Sequence, residues 1–260
     1  MAVVLQPMSV PEFADRRIGL IRDTADSLSA QLGLPVPEAE AVAERATAAT
    51  LPLGPETPDH LLRTAVDDGR VVGWIWISMP GTFVPDTAWI SDVEVDPPFR
   101  SQGYGRAIML AGEAVLTGSG IDRVGLNVDG RNERARRLYE KLGYAVTRQQ
   151  WALALGDLPR VTGSPVTLWR DGTATIDGRT VGRVAYTDHH RDRPGTGWIT
   201  EFTAGSRAHR AAIIVAVGQD LLGRGARSLG TEVAGDDREL RALVEELGFR
   251  LIAQQMTKRI

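Results

Sequence analysis

The most informative absence in this 260-residue chain is cysteine, of which it has none. Without a thiol there can be no disulfide, no thiolate nucleophile and no thiolate ligand for a metal ion. The four histidines add little metal-binding capacity, because His189 and His190 are neighbours whose side chains point apart in an extended segment. We therefore expect no metal site, and chemistry that depends on oxygen, nitrogen and backbone groups.

The chain also lacks an excess of positive charge and any long apolar run. Its formal net charge is −3 at pH 7, which argues against a general nucleic-acid binder. No apolar run approaches the roughly 20 residues that span a membrane, and residues 1–5 are too short for a secretory signal and lack a basic leader. We therefore expect a cytoplasmic protein with neither nucleic acid nor a membrane as a partner.

What the chain does have is a glycine-punctuated turn after an apolar strand, at residues 95–106 (VDPPFRSQGYGR). Gly103 and Gly105 lack a Cβ, so we expect both to accept positive φ and to let consecutive N–H groups converge where a helix begins. A phosphate or pyrophosphate fits such a cradle. A mononucleotide P-loop and a Rossmann fingerprint both fail, because Arg106 replaces the lysine and Ile108 replaces the third glycine. The alternative is a plain glycine-rich helix start.

A second pattern lies at residues 132–144 (NERARRLYEKLGY). Asn132 is typical of a helix N-cap, and Gly143 is typical of a left-handed helix end. Between them, Ala135, Leu138 and Leu142 form an apolar stripe at helical spacing.

Together the two patterns resemble the GNAT superfamily of acyl-CoA-dependent N-acyltransferases. Its signature is Arg/Gln-x-x-Gly-x-Gly/Ala after a strand that ends in Val-x-Pro, and its second motif is Asn-x-x-Ala-x-x-Leu-Tyr-x-Lys-Leu-Gly-Tyr/Phe. The first signature is matched by Val95, Pro97, Arg100, Gly103 and Gly105.

The sequence contains an internal repeat. Residues 68–73 (DGRVVG) return 109 positions later as residues 177–182 (DGRTVG), and the following strand keeps that offset. Beyond the glycine-rich turn, residues 142–144 (LGY) return 105 positions later as residues 247–249 (LGF). The second copy has therefore lost four residues near that turn.

The resemblance and the repeat imply a mixed α/β fold built as a tandem GNAT protein. We predict a catalytic domain over residues 1–156 and a degenerate, truncated domain over residues 157–260. Two helices precede the repeat in the first copy only: one begins with a capping-box pattern at residues 9–12 (SVPE), and the other begins at Pro37. The resemblance implies that they wall the acceptor pocket. In the second copy the motif positions are replaced, and we expect no coenzyme there: Gly205, Ala208 and Arg210 stand for Arg100, Gly103 and Gly105, Val244 for Tyr139, and Asp237 for Asn132.

Acetyl-CoA is the co-substrate that the resemblance implies. The glycine-rich turn predicts backbone contacts to its pyrophosphate, assisted by arginine side chains. The resemblance adds strand groups for the pantetheine arm and the thioester, and an asparagine that bonds that arm. The predicted coenzyme-binding residues are Val93, Val95, Arg100, Ser101, Gln102, Gly103, Tyr104, Gly105, Arg106 and Asn132.

Acyl transfer to an amine needs a base for the amine and an acid for the leaving thiolate. Tyr139 is the predicted acid, because a phenol is neutral at pH 7 and can donate; the alternative is a packed aromatic. Asp92 and Glu94 lie two apart on a strand, so they share a face unless a bulge intervenes, and either is a candidate base. A salt-bridged or solvated pair is the alternative.

The predicted function is transfer of an acetyl group from acetyl-CoA to a primary amine on a small molecule or peptide. The rival from another class is a non-catalytic acyl-CoA sensor or interaction module. A tandem chain can satisfy internally what single-unit relatives achieve by dimerising, so both a monomeric pseudo-dimer and a homodimer are consistent with the sequence.

Overall fold

Within residues 2–160, 164–190 and 193–260, which the computed structural model of the chain describes, six α-helices and twelve β-strands form a mixed α/β fold. The helices are α1 (Val10–Leu32), α2 (Val36–Thr50), α3 (Tyr104–Gly118), α4 (Glu133–Lys141), α5 (Arg207–Gly223) and α6 (Arg238–Glu246). The strands are β1 (Val4–Pro7), β2 (His60–Asp67), β3 (Arg70–Ser78), β4 (Ala88–Val95), β5 (Arg123–Asp129), β6 (Ala145–Ala154), β7 (Thr167–Leu168), β8 (Thr173–Ile176), β9 (Arg179–Thr187), β10 (Thr196–Ala204), β11 (Ser228–Ala234) and β12 (Arg250–Arg259).

The first helix begins with the capping box that its sequence predicts. The Ser9 backbone N–H donates to Glu12 Oε2 at 2.8 Å, and the Glu12 N–H donates to Ser9 Oγ at 3.4 Å. Gly33, with φ of 66°, follows the last helical residue.

Contacts divide the chain into two compact units that do not follow its linear order. Unit 1 holds residues 1–26, 37–147 and 254–260, whereas unit 2 holds residues 27–36 and 148–253. The predicted boundary after residue 156 concerns the ends of the repeated sequence, and it stays a prediction.

In unit 1 the strands run in the order β1-β2-β3-β4-β5, with the end of β12 next to β5. That last segment is fastened by Ile260, whose N–H donates to Asp122 O at 2.9 Å. It is also fastened by Lys258, whose ammonium lies 2.6 Å from Glu113 Oε2 in α3, a residue only 7% exposed. Residues 254–260 therefore complete the core of the first unit.

Strand β3 divides the interior of unit 1 into two clusters because successive side chains point to opposite faces. Ile75 and Ile77 pack on one face in a cluster that includes residues of α3 and α4. Trp74 and Trp76 pack on the other face with residues that include Phe13 of α1. Both tryptophans are core residues, 1% and 7% exposed.

In unit 2 the strand order is β6-β11-β10-β9-β8-β7, and β6 contributes residues 148–154. A separate cluster fills this interior, built mainly from α5, α6 and the strands, with Ile213, Leu221 and Val244 at its centre. Each unit therefore has its own hydrophobic core.

The predicted repeat is visible in matching close contacts. A Cβ on Gly125 would lie 2.3 Å from the Trp89 ring, and one on Gly230 would lie 2.1 Å from the Trp198 ring. Both glycines give room to a tryptophan on the parallel neighbouring strand. No helix in the described part of the chain is both long and apolar enough to cross a lipid bilayer.

Candidate active site

The loop that joins β4 to α3, residues 96–103, forms the predicted cradle. Gly103 caps the helix with φ of 91°, and Ser101 also has positive φ, at 66°. Helix α3 has no side-chain cap, and Ala107 donates to Gly103 O at 3.2 Å. The amides of residues 104–106 therefore precede the helical ladder and remain available to an anion.

Of the two glycines expected to accept positive φ, Gly103 adopts it and Gly105 does not. Gly105 lies inside the first turn of α3, and its φ is not among the positive values. A Cβ there would lie 3.3 Å from Leu138 Cδ2 of α4 and 3.7 Å from Val95 Cγ2 of β4. The glycine is needed for close packing, which brings the helix start against the strand end.

Three arginine side chains lie close to the cradle in sequence or by contact, and two of them, Arg100 and Arg134, are already engaged within the protein. Arg100 donates from Nε to Val95 O at 2.9 Å and from Nη2 to Glu94 Oε1 at 3.3 Å. Arg106 is exposed, and Arg134 of α4 donates to Ser101 Oγ at 3.2 Å. The contact of Arg134 joins residues 33 positions apart, so no local pattern in the sequence shows that α4 meets this loop.

Two other predicted coenzyme residues make contacts within the protein. Gln102 Nε2 donates to Pro98 O at 2.8 Å, which stiffens the cradle. The Tyr104 hydroxyl donates to Asp67 Oδ2 at 2.9 Å, so this side chain anchors the start of α3 to β2. For both residues, the group open to a ligand is the backbone.

Strands β4 and β5 separate next to the cradle. Their parallel pairing covers only residues 88–90 of β4, although β4 continues to Val95. Beyond that point, among the strands that the structure describes, β4 pairs with β3 alone. On the open side, Asp92 Oδ1 accepts the Val93 N–H at 2.8 Å, and Val95 O accepts Arg100. The gap thus leaves one edge of β4 open, on the strand that the family resemblance predicts for the pantetheine arm.

Asn132 acts as the N-cap of α4, as predicted. Its Oδ1 accepts the Ala135 N–H at 3.0 Å, which leaves its side-chain amide N–H groups to face outward on an exposed residue. Next to it, five residues of α4 line a cavity of about 400 Å³: Glu133, Arg134, Arg137, Leu138 and Lys141.

Tyr139 is a buried residue of α4, only 7% exposed, and packs against the α3 side of the sheet. Burial, with a smaller contribution from the charge of Asp92, raises the pKa of its phenol to about 12. It is therefore neutral at pH 7 and able to donate to a ligand.

A β-bulge places Asp92 on its face of the sheet. Ile77 pairs with Ile90 and Trp76 with Asp92, so Ser91 is the extra residue. After the bulge the register continues without a break, so Asp92 and Glu94 share the face that carries Trp76. No bulge lies between these two residues, and under that condition the sequence predicted a shared face. Burial above all, together with the charges of Glu94 and Asp23, raises the pKa of Asp92 to about 7, against the opposing effect of the Val93 N–H.

Glu94 has a different environment from Asp92. Its carboxylate accepts the Trp74 Nε1–H at 3.1 Å, lies 3.3 Å from Arg100 and lies 3.9 Å from Arg16 Nη1. This is the salt-bridged arrangement left open by the sequence. Both oxygens of this carboxylate are therefore already engaged within the protein.

Sequence reasoning missed the contact of Arg16 with Asp96. The guanidinium of this α1 residue makes a two-pronged contact with the carboxylate at the entrance of the cradle loop, with Nη2 and Oδ2 3.0 Å apart. The two residues are 80 positions apart, and no local pattern could have found the pair.

At the equivalent place in unit 2 the cradle is absent. Only residues 205 and 206 join β10 to α5, and Ser206 caps the helix by accepting the His209 N–H at 3.1 Å. Ala208 and Arg210, which replace the two glycines, lie within the helix, and Arg210 is 3.7 Å from Glu239.

Comparisons with known proteins agree with this geometry. The model of the acetyltransferase (GNAT) family matches residues 31–144. Over 149 residues the chain is 30% identical to the uncharacterized N-acetyltransferase YycN of Bacillus subtilis (strain 168), covering 56% of this chain and 95% of that protein. The chain belongs to the GNAT family. It is accordingly an acyltransferase, and the predicted family and enzyme class are confirmed.

Two solved structures resemble the GNAT chain over almost its full length. A GCN5-related N-acetyltransferase from Sphaerobacter thermophilus has a TM-score of 0.56 at 17% identity, covering 99% of this chain and 96% of that one. A tandem GNAT protein from the clavulanic acid biosynthesis pathway has a TM-score of 0.50 at 15% identity, covering 99% and 98%. At these identities the likeness concerns the fold, and it confirms the predicted mixed α/β, tandem GNAT architecture.

Proposed function

We propose that the first GNAT unit transfers an acetyl group from acetyl-CoA to a primary amine, and that the second copy binds no coenzyme. The observation that carries the proposal is the meeting of three features at the end of β4: the open amides after Gly103, the gap beside β5, and the Tyr139 hydroxyl near Asp92. The GNAT fold supports acyl-CoA binding.

In the proposed binding mode, the pyrophosphate lies against the amides of residues 104–106, with the positive end of α3 and Arg106 adding to the attraction. The cationic cavity along α4 suits the outer phosphate. The pantetheine arm follows β4 into the gap, where backbone groups of Val93 and Val95 and the side-chain amide of Asn132 are its partners.

In the proposed reaction, Asp92 takes a proton from the substrate ammonium, and the free amine attacks the thioester carbonyl. A C–N bond forms and the C–S bond breaks. Tyr139 donates its proton to the departing sulfur and recovers one from the new amide nitrogen, so one proton per turnover passes to solvent. Asp92 is favoured over Glu94 as the base because Glu94 is held by arginines, whereas a pKa near 7 suits a proton acceptor.

An acetyl-CoA titration by calorimetry tests the coenzyme part of the proposal. We expect one site per chain. Two sites would overturn the degeneracy of the second copy, and no binding would overturn the assignment of acetyl-CoA.

The Tyr139→Phe variant tests the chemistry. Removing a general acid lowers kcat by roughly 10²–10⁴-fold, while the dissociation constant of acetyl-CoA stays unchanged. Free thiol release, measured with a panel of primary amines, is the assay. If no amine supports turnover in the unaltered protein although acetyl-CoA binds, the protein is a sensor of acyl-CoA.

A further inference from the structure

The two copies carry the same bulge but treat the carboxylate after it differently. In the first copy, Asp92 lies opposite Trp76 and is half-buried. In the second, the register shifts at the equivalent place, and Glu201 lies opposite Ala185 and is exposed. Residues directly opposite in an antiparallel pair have side chains on the same face, with Cβ atoms about 5 Å apart. The Trp76 indole therefore lies on the same face as Asp92, beside it, whereas the residue beside Glu201 has only a methyl side chain.

The indole of Trp76 is held by a buried histidine. Trp76 Nε1 donates to His60 Nδ1 at 2.9 Å, and the two rings lie 5.6 Å apart. An indole nitrogen can only donate, so His60 must accept at Nδ1 and carry its proton on Nε2. Burial lowers the pKa of His60, with Asp59 opposing it, which keeps the ring neutral and able to accept.

A chain of hydroxyl groups links His60 to the bulge itself. Ser78 Oγ lies 3.0 Å from His60 Nδ1 and 2.8 Å from Ser91 Oγ, and Ser91 is the bulged residue. In the second copy the bulged Thr200 instead donates to the backbone oxygen of Ala185 at 3.2 Å. The second copy thus keeps the bulge, whereas the contact from histidine to indole occurs in the first.

We propose that His60 is a positioning residue for the acyl transfer: by accepting the Trp76 indole N–H and joining the Ser78–Ser91 chain, it holds the indole over Asp92 and keeps water from that carboxylate. The inference rests on the proposed role of Asp92 as the base. His60 acts only through Trp76 and does not touch the reacting atoms.

Other charged groups also face Asp92, and the indole is not the sole influence on its titration. Glu94 on β4 and Asp23 on α1 oppose its ionisation by their charge, and Tyr139 of α4 lies close enough to be affected by it. These groups stay in place when His60 is replaced. A change in the titration of Asp92 in a His60 variant therefore reports the loss of shielding.

The test is to titrate the Asp92 carboxyl by ¹³C NMR in the full-length chain without substrate, with the resonance assigned from Asp92→Asn. Asp92 should titrate near pH 7 in the unaltered protein. In His60→Leu, which leaves the indole N–H without an acceptor, its pKa should fall by at least about one unit, which is a tenfold change in proton affinity. His60→Asn, whose side-chain oxygen can replace Nδ1, should restore most of the original value.

A matched control is Ser228→Ala in the second copy, which removes a buried inter-strand hydroxyl contact of 2.8 Å with Thr196. It should lower stability without moving the Asp92 titration. Trp76→Ala introduces the residue found at the equivalent position 185 of the second copy. It should shift the pKa of Asp92 at least as far as His60→Leu does. If Trp76→Ala leaves Asp92 unchanged, or shifts it while His60→Leu does not, the inference is wrong.

If the variants do not fold, NMR spectroscopy of the unaltered protein still tests the inference. The ¹⁵N resonances of His60 should show a neutral ring protonated at Nε2, and a proton on Nδ1 would overturn the inference. The base assignment is tested separately by turnover of Asp92→Asn. If Asp92 is shielded by Trp76 but is not needed for turnover, the proposed base is wrong and the role of His60 stands. If Asp92 is needed for turnover but its titration does not depend on His60, the base is right and the role of His60 is wrong.

Discussion

The two copies of the repeat share the bulge and the two helices that follow it, but they differ at the point where the chain passes from strand to helix. After β4, eight residues make a turn with open amides at Gly103, whereas after β10 two residues lead into a helix already capped by Ser206. The later helix replaces tyrosine by Val244, which is fully buried. A scaffold can therefore persist while a few substitutions and a short deletion remove the features that suit a coenzyme.

The largest expected contrast is between the two carboxylates that follow the bulges. Asp92→Asn should lower kcat/KM by roughly 10²–10⁴-fold, because a general base is lost, and Glu201→Gln should leave it unchanged. In the unaltered protein kcat/KM should rise as the pH increases through about 7, since the raised pKa of Asp92 leaves it protonated below that value. Steady-state rates with acetyl-CoA between pH 5 and 9 measure both, and equal losses in the two variants would contradict the assignment.

A second contrast concerns the ion pair between Glu113 of α3 and Lys258 of β12. Glu113→Leu leaves the Lys258 ammonium without its partner in a largely buried place, and we expect a loss of about 2–4 kcal/mol in the free energy of unfolding. Adding Lys258→Leu should recover most of it, because the equivalent positions in unit 2 hold Gly218 and Leu153.

Urea unfolding of the three proteins measures this effect. The control is Glu246→Gln in the second copy, which breaks an exposed pair with Arg207 and should cost less than about 1 kcal/mol. A double variant no more stable than Glu113→Leu would show that the cost lies in packing.

Gly103→Ala sharpens the comparison of the helix starts. A Cβ at φ of 91° costs about 1–2 kcal/mol, and relaxation of the loop should weaken acetyl-CoA binding about tenfold. The reverse change, Ala208→Gly, should create no second site, because that residue lies within α5. Calorimetric titration distinguishes these outcomes, and undiminished affinity in Gly103→Ala would remove the cradle from the binding site.

The smallest expected effect comes from the two helix caps. Asn132→Asp keeps a good capping oxygen, so unfolding should change by less than about 0.5 kcal/mol, while the added negative charge weakens acetyl-CoA binding several-fold. Asp237→Asn, the mirror change at the cap of α6, should affect neither quantity. Thermal unfolding and calorimetry on both variants measure them, and unchanged affinity in Asn132→Asp would place the coenzyme away from this cap.

Local patterns in the sequence predicted the features that depend on neighbouring residues. The capping box at Ser9, the N-cap at Asn132 and the turn at Gly103 each involve groups a few residues apart, and the structure has all three. The repeat was also detectable, because it compares the chain with itself.

Features that depend on distant pairings could not be predicted. The bulge at Ser91 depends on the register with β3, and the contact of Trp76 with His60 joins two strands. Gly105 suggested a flexible turn, but its absent side chain instead makes room for Leu138, over 30 residues away. Such choices are settled by packing between elements, which a periodic pattern does not encode.

The membership of residues 254–260 in the first unit has a consequence for how the protein is made. The open side of β5 emerges from the ribosome about 120 residues before the segment that covers it. During that time the amide and carbonyl groups on this edge have no strand partner from residues 254–260. The entropy of closing so long a loop grows only slowly with its length, but pairing across it slows folding. Most of the first unit is therefore translated first, but its sheet is completed only after residues 254–260 have been made.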